Sequence, residues 1–392
     1  MKRGEEVAVC DGDTGTTGDA MTVTFIANTG EIGGAERYLL TLGAGLRDES
    51  WRIFVPSQNV ACELTDQLGS SKIGMLPTDG YSIRRSAFVK AMKFYRTVDS
   101  DVVHFNLANP CASTVDILAA RLVGRSAIVL TTHLPDIAIS RRERLSDRIA
   151  LRLADRIITV CGSARDYLVN RGVPARKVSA IYNGVSDWQT SEDTVSKMRS
   201  EMSIGPDDLV LGTVARLEEQ KGISYLLEAF GRLDDCANLV LCIVGDGSLM
   251  GSLTEQAREL GIADKVRFCG WRDDSRDLIG LFDIFVLPSL FESFPFTVVE
   301  AMMAGKPIVA SDVGGVSEAV THERTGFLVA PRNPEELAKS IRALAESAEL
   351  RARMGDEART AALSRFSDET MVQRTEELYE QLIAERRGRR RE

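Results

Sequence analysis

Short apolar runs, separated by spans of helix length, recur along almost the whole chain. TVTFIAN, WRIFVPS, DVVHFN, AIVLTTH and RIITVCG carry the rhythm in the first half. LVLGTVA, NLVLCIVG, KVRFCG, IFVLPS, PIVASD and TGFLVA carry it in the second. These runs lack a clean alternation of apolar and polar residues, as strands do when helices cover both faces. Strands alternating with helices imply βα units and parallel sheets. A chain of 392 residues exceeds what one core usually supports, so two domains are expected. The polar, turn-rich stretch YNGVSDWQTSEDTVSKMRSEMSIGPDD interrupts the rhythm, and the linker is placed at 185–206. The expected fold is α/β, with parallel-sheet domains at 21–184 and 207–369 facing across a cleft. A C-terminal helix of about 370–392 is expected to pack back on the first domain. In such sheets ligands bind beyond the carboxyl ends of the strands, so site residues belong in the loops that follow strands.

Residues 1–20, MKRGEEVAVCDGDTGTTGDA, read as a loose polar leader without the apolar segment of a secretory signal. DGDTG within it lacks the remaining ligand spacing of a calcium loop. Nowhere does an apolar run approach the ~20 residues of a membrane span. Seven cysteines, at 10, 62, 111, 161, 236, 242 and 269, form no CxxC pair. They read as reduced, mostly buried thiols of a cytoplasmic protein.

The net charge of −9 is unevenly spread. Met21–Val195 holds 21 Lys+Arg against 18 Asp+Glu, and Ser196–Glu392 holds 25 against 34. That balance argues against a nucleic-acid partner. Excess base is concentrated in ISRRERLSDRIALRLADRI, residues 139–157, where Ile139, Leu145, Ile149 and Leu153 share one helical face. A solvated surface helix is the first reading. Peripheral contact with the inner membrane surface or an anionic acceptor is the second, and the tail RRGRRRE is placed to assist it.

Three loops carry candidate chemistry. In NTGEIGGAERYLL, Gly33 and Gly34 open a helix, where bare N–H groups can approach a phosphate. Local geometry is the competing reading. The glycine spacing is not GxGxxG, which disfavours a dinucleotide oxidoreductase. In VARLEEQKGISYLLEAF, Arg216 and Lys221 can converge on a diphosphate, or they are two ordinary surface bases. In ESFPFTVVE, Glu292 precedes a helix starting near Phe296, and Glu300 lies a turn inside it. Each carboxylate can accept from ligand hydroxyls, although a helix-start acid is also a partner for the helix dipole. DSD at 99–101 stands just before a strand, at the end pointing away from the cleft, so Asp99 and Asp101 read as turn residues rather than metal ligands.

SLFESFPFTVVEAMMAGKPIVASDVGGVSEAV resembles the Glu-X7-Glu segment of family 4 glycosyltransferases, retaining enzymes of the GT-B fold with two Rossmann-like domains. VARLEEQKG, IVGDGS, IYNGV and GEIGGAE are similar to further motifs of that family, in its order. The resemblance implies a nucleotide-sugar donor bound between the domains, UDP more often than GDP, with no cofactor and no essential metal. It assigns the diphosphate to Arg216, Lys221 and the Gly33–Gly34 turn, the sugar hydroxyls to Glu292, and the ribose to Glu300. His133 in TTHLPD falls beside the transferred sugar. Trp271 and Arg272 fall where the nucleobase rests. Many relatives have glycine after the phenylalanine of the Glu-X7-Glu loop. Here Pro295 follows Phe294 and offers no N–H, so backbone bonds to the ligand fall to Phe294, Phe296 or Thr297. A nucleotide-sugar epimerase and a non-catalytic nucleotide-sugar-binding subunit share this architecture. The acceptor loops, NLANPCAS and LPDIAIS, carry no diagnostic pattern, so a small molecule, a lipid carrier and a polysaccharide all fit.

Overall fold

The computed structural model describes residues 21–28, 33–46, 50–78, 85–108, 113–134, 140–233 and 238–389. The leader and the last three residues of the basic tail lie outside them. Seven strands form the first sheet: β1 (Val23–Ala27), β2 (Trp51–Val55), β3 (Ile73–Met75), β4 (Val102–Leu107), β5 (Ala127–Thr132), β6 (Arg156–Thr159) and β7 (Val178–Ala180). Their spatial order is 3-2-1-4-5-6-7, and every pairing is parallel. Six strands form the second: β8 (Leu209–Val214), β9 (Leu239–Val244), β10 (Val266–Gly270), β11 (Ile284–Leu287), β12 (Ile308–Ser311) and β13 (Gly326–Val329). Their order is 10-9-8-11-12-13, again all parallel. Central strands such as β4, β5 and β9 are buried along their whole length, which explains their unbroken apolar runs. Strand order reverses at β1/β4 in one sheet and at β8/β11 in the other. Those two points are where ligand crevices open.

The boundary region differs from a plain polar linker. Glu192–Glu201 is a helix capped by Ser191, whose Oγ accepts from the Thr194 N–H at 3.2 Å. Met198 is buried, and the helix packs on the helix Ser275–Leu281 of the second domain. Three apolar residues, Val195, Met198 and Met202, are enough to anchor an otherwise polar segment. The basic segment also differs in extent. Its helix is Arg141–Leu153, and Arg156 already belongs to β6. Asp147, Ala150 and Leu151 face the core, which leaves Leu145 and Ile149 exposed among the arginines. Among the described residues no helix is long and apolar enough to cross a membrane. Of the described cysteines, Cys161 and Cys242 are buried, Cys269 is half-buried and Cys62 is exposed, all as free thiols.

The domains are joined by an aromatic knot. The Phe294 ring of the second domain is tilted against those of Tyr182 and Phe366, with centroids 5.0 and 5.2 Å away. Glu318 reaches across, accepting 2.7 Å bonds from the N–H groups of Gly162 and Ser163, with the Tyr182 hydroxyl donating at 3.0 Å.

The C-terminal helix Asp368–Arg389 lies against the helix Gly34–Gly45 and β5. It is pinned through Tyr379, whose hydroxyl bonds the buried His104 ring. The other His104 nitrogen meets Thr131 Oγ1 at 2.7 Å. Burial lowers the His104 pKa to about 3, with His133 adding a like charge, and lowers that of His133 to about 4. Unfolding returns both imidazoles to a pKa of about 6.5. Their stabilising neutrality is therefore fully present above that pH and is lost as pH falls toward 4. Thermal melts across pH 7 to 4.5 should show a smaller acid-side loss for His104→Gln than for the wild type, although the variant melts lower at pH 7. Parallel curves contradict the assignment.

Candidate functional site

Because β8 and β11 are neighbours, the loops that leave their carboxyl ends run side by side. Backbone and side chain staple them together. Leu290 N–H donates to the Gln220 carbonyl at 2.8 Å, and Gln220 Nε2 donates to the Phe291 carbonyl at 3.0 Å. Gly222 stands between them at φ +64°, and a Cβ there would lie 2.1 Å from the Pro288 carbonyl oxygen. Glycine is required on both counts. Gly314 plays the same part behind the second loop, at φ +53°, where a Cβ would lie 1.7 Å from the Glu292 carbonyl oxygen.

The two glutamates occupy this seam, each with its own cation. Glu292 is in the loop, and its Oε1 accepts from Lys221 Nζ at 2.5 Å and from Ser289 Oγ at 2.8 Å. The side chains of the pair are 8% and 17% exposed, so the ions meet in a site largely shielded from water. Glu300 lies in the helix Phe296–Met303, with its side chain 2% exposed. Its Oε1 accepts from Arg276 Nε at 3.1 Å and from Arg37, which belongs to the opposite domain. A carboxylate this deeply buried requires such donors, because an unpaired buried charge is costly. Pro295 is the N-cap of the helix, with φ −76°. The first N–H groups of a helix have no intrahelical partner, which leaves those of Phe296, Thr297 and Val298 without one next to the Glu292 loop.

Across the cleft, Gly34 begins the helix Gly34–Gly45, and a Cβ on it would lie 3.6 Å from the Phe296 ring. The Gly33–Gly34 turn therefore confronts the start of the Phe296 helix. Gly33 N–H donates to Glu36 Oε2 at 2.8 Å. His133 follows β5 on the same domain, buried, with Tyr38 edge-on to its ring at 5.3 Å. Asn106 Nδ2 donates to the Ala35 carbonyl at 2.8 Å, which turns Asn106 Oδ1 toward His133 Nε2 at 2.9 Å. That oxygen is only an acceptor, so Nε2 carries the proton and Nδ1 is left as an acceptor.

The remaining sequence-derived residues divide. Arg216 follows β8, exposed and in no ion pair among the described residues. Trp271 and Arg272 follow β10. Trp271 is 71% exposed, with Nε1 donating to Asp273, whereas both arms of Arg272 are held by Asp274 at 2.7 and 2.6 Å. The backbone N–H of Phe294 is the group expected to meet the ligand, and its side chain and carbonyl have other partners. Its ring belongs to the interdomain knot and its carbonyl accepts from Asn183 Nδ2 at 3.0 Å, because the loop must anchor both domains at that point. Asp101 accepts from the Thr22 N–H at 3.0 Å and its hydroxyl at 3.1 Å, at the entry end of β4 and away from the cleft. The acceptor loops lie largely outside the described residues. Sequence reasoning missed Arg37, Arg276 and Ser289. Arg37 follows Gly33 by one helical turn, a spacing that places it over the same cleft.

Residues 195–361 match the family described as glycosyl transferases group 1, and residues 32–188 match glycosyltransferase family 4. Together they cover every strand but β1, and the chain belongs to the family 4 type of glycosyltransferases. An uncharacterized glycosyltransferase of Methanocaldococcus jannaschii is 34% identical over 47% of this chain and 49% of its own. The N-acetyl-alpha-D-glucosaminyl L-malate synthase of Bacillus anthracis is 26% identical over 71% and 74%. The match thus spans about half to three quarters of these curated relatives. The crystal structure of HepE from Anabaena in complex with UDP superposes with a TM-score of 0.82 and 27% identity. It covers 92% of this chain and all of HepE, and the UDP-glucose complex superposes with a TM-score of 0.80. The fold is therefore GT-B.

Proposed function

We propose that the protein moves a hexose-type sugar from a UDP-sugar to an acceptor hydroxyl, retaining the anomeric configuration and forming an α-glycosidic bond without an essential metal. The observation that carries this reading is the seam itself. Two shielded carboxylates, Glu292 and Glu300, stand at a sheet's switch point beside Lys221 and an open helix start, facing a glycine turn of the other domain. Relatives with UDP and UDP-glucose bound support the uridine nucleotide.

In the transfer, the bond from the anomeric carbon to the diphosphate oxygen breaks and a bond to the acceptor oxygen forms on the same face. The acceptor proton passes to the departing diphosphate. Positive charge grows on the sugar and negative charge on the leaving group. In this reading Arg216, Lys221 and the first amides of the Phe296 helix stabilise that anion. Glu292 holds sugar hydroxyls, Glu300 holds the ribose, and neutral His133 offers Nδ1 to the transferred sugar. Trp271 and Arg272 flank the base. The acceptor enters against the first domain.

A panel of nucleotide sugars assayed for slow hydrolysis without acceptor identifies the donor, and acceptors are then screened with it. Arg216→Ala and Lys221→Ala should each lower turnover by about 10²–10³, and near-normal turnover in either overturns the assignment. Activity should persist in excess EDTA. Abolition that Mn²⁺ reverses contradicts the metal-free mechanism, and release of an epimerised nucleotide sugar contradicts transfer.

A further inference from the structure

One carboxylate neutralises one cation, yet Glu300 Oε1 is shared by two guanidinium groups, those of Arg37 and Arg276. Glu300 and its two arginines alone thus carry one positive charge in excess, with the Glu36 carboxylate engaged at the Gly33 N–H of the facing helix start. Arg37 comes from the acceptor-side domain, one turn into the helix that the Gly33–Gly34 turn begins. Its guanidinium lies over the Phe296 ring, 5.4 Å from the centroid, and its side chain is 37% exposed. A guanidinium has five N–H donors in a rigid fork. Nη2 is engaged by Glu300, and no other bond from the Arg37 side chain is found among the described residues. Glu300 and the Phe296 ring hold the guanidinium at the start of the Phe296 helix, with its remaining N–H groups unclaimed by any described residue. Glu300 Oε2 takes no bond from any described residue, so it can accept from a ribose hydroxyl while Oε1 keeps both arginines.

We propose that Arg37 is a diphosphate ligand supplied by the acceptor-side domain. It would be a further cation beside Arg216 and Lys221, oriented by the same carboxylate that holds the ribose. The inference rests on the nucleotide-sugar reading above. It adds a first-domain cation to a grip whose other cations, Arg216 and Lys221, both belong to the second domain. A cation facing the cleft also draws in an anionic ligand before contact.

The discriminating experiment is titration calorimetry with UDP and with uridine, on the full chain carrying Arg37→Ala, Arg37→Lys, Glu300→Gln and the double change Arg37→Ala/Glu300→Gln. Removing a charge-assisted contact to phosphate should weaken UDP binding by about 10- to 100-fold. Uridine, which has no phosphate, should bind Arg37→Ala within about twofold of wild type. Arg37→Lys, a point charge without the fork, should fall between wild type and Arg37→Ala. The loss for UDP should persist when Arg37→Ala is made on the Glu300→Gln background. Equal losses for UDP and uridine, or a loss that disappears on that background, show that Arg37 acts only by placing Glu300 and overturn the proposal, as does unchanged UDP affinity. Failure of the wild type to bind UDP contradicts the donor assignment itself, and this role with it.

Discussion

Two carboxylates withdrawn from water at the mouth of a parallel sheet are the constraint around which the second domain is arranged. A buried carboxylate must be met by cations or donors, and the chain supplies them from separate elements. Lys221 and Ser289 reach Glu292, and Arg276 and Arg37 reach Glu300. Each partner is delivered by the carboxyl end of a strand or by a nearby helix start, so the ion pairs also set the course of the loops. Glycine at 222 and 314 lets backbone pass where a side chain would collide. The seam is held from behind by backbone and from in front by charge.

The same arrangement links the domains. Arg37 bridges to Glu300 on the cleft side, while Phe294 and Glu318 bind Tyr182 and the Gly162 helix start at the knot. The loop bearing Glu292 is tied to the interdomain knot by its own Phe294. The loop that bears Glu292 thus takes its position from both domains, as the proposed transfer between them requires. Transfer chemistry benefits when water is excluded as the halves approach, because electrostatic stabilisation strengthens in a low dielectric.

Much of this was legible in the residues. The continuous apolar runs of β1, β4, β5, β9, β11 and β12 mark buried parallel strands, and the Glu292–Glu300 spacing marks a loop running into a helix. β3 and β7 were not legible. Each is a three-residue edge strand, too short and too exposed to leave an apolar run. The helix Glu192–Glu201 hid in a polar stretch because a few partly buried apolar residues hold it. Arg37 and Arg276 escaped notice because their partner is distant in sequence, and no local pattern announces an ion pair between residues 37 and 300. The interdomain role of the Phe294 ring was not legible for a similar reason: its neighbours, Tyr182 and Phe366, come from other parts of the chain.

A crystal structure with UDP bound tests the central claim most directly. The account predicts the diphosphate between the Gly33 turn and the start of the Phe296 helix. Phosphate oxygens should lie about 3 Å from Arg216, Lys221 and the first helix amides, and Glu300 should accept from the ribose. A nucleotide bound elsewhere, or one in this cleft with both cations turned away from its phosphates, would contradict it.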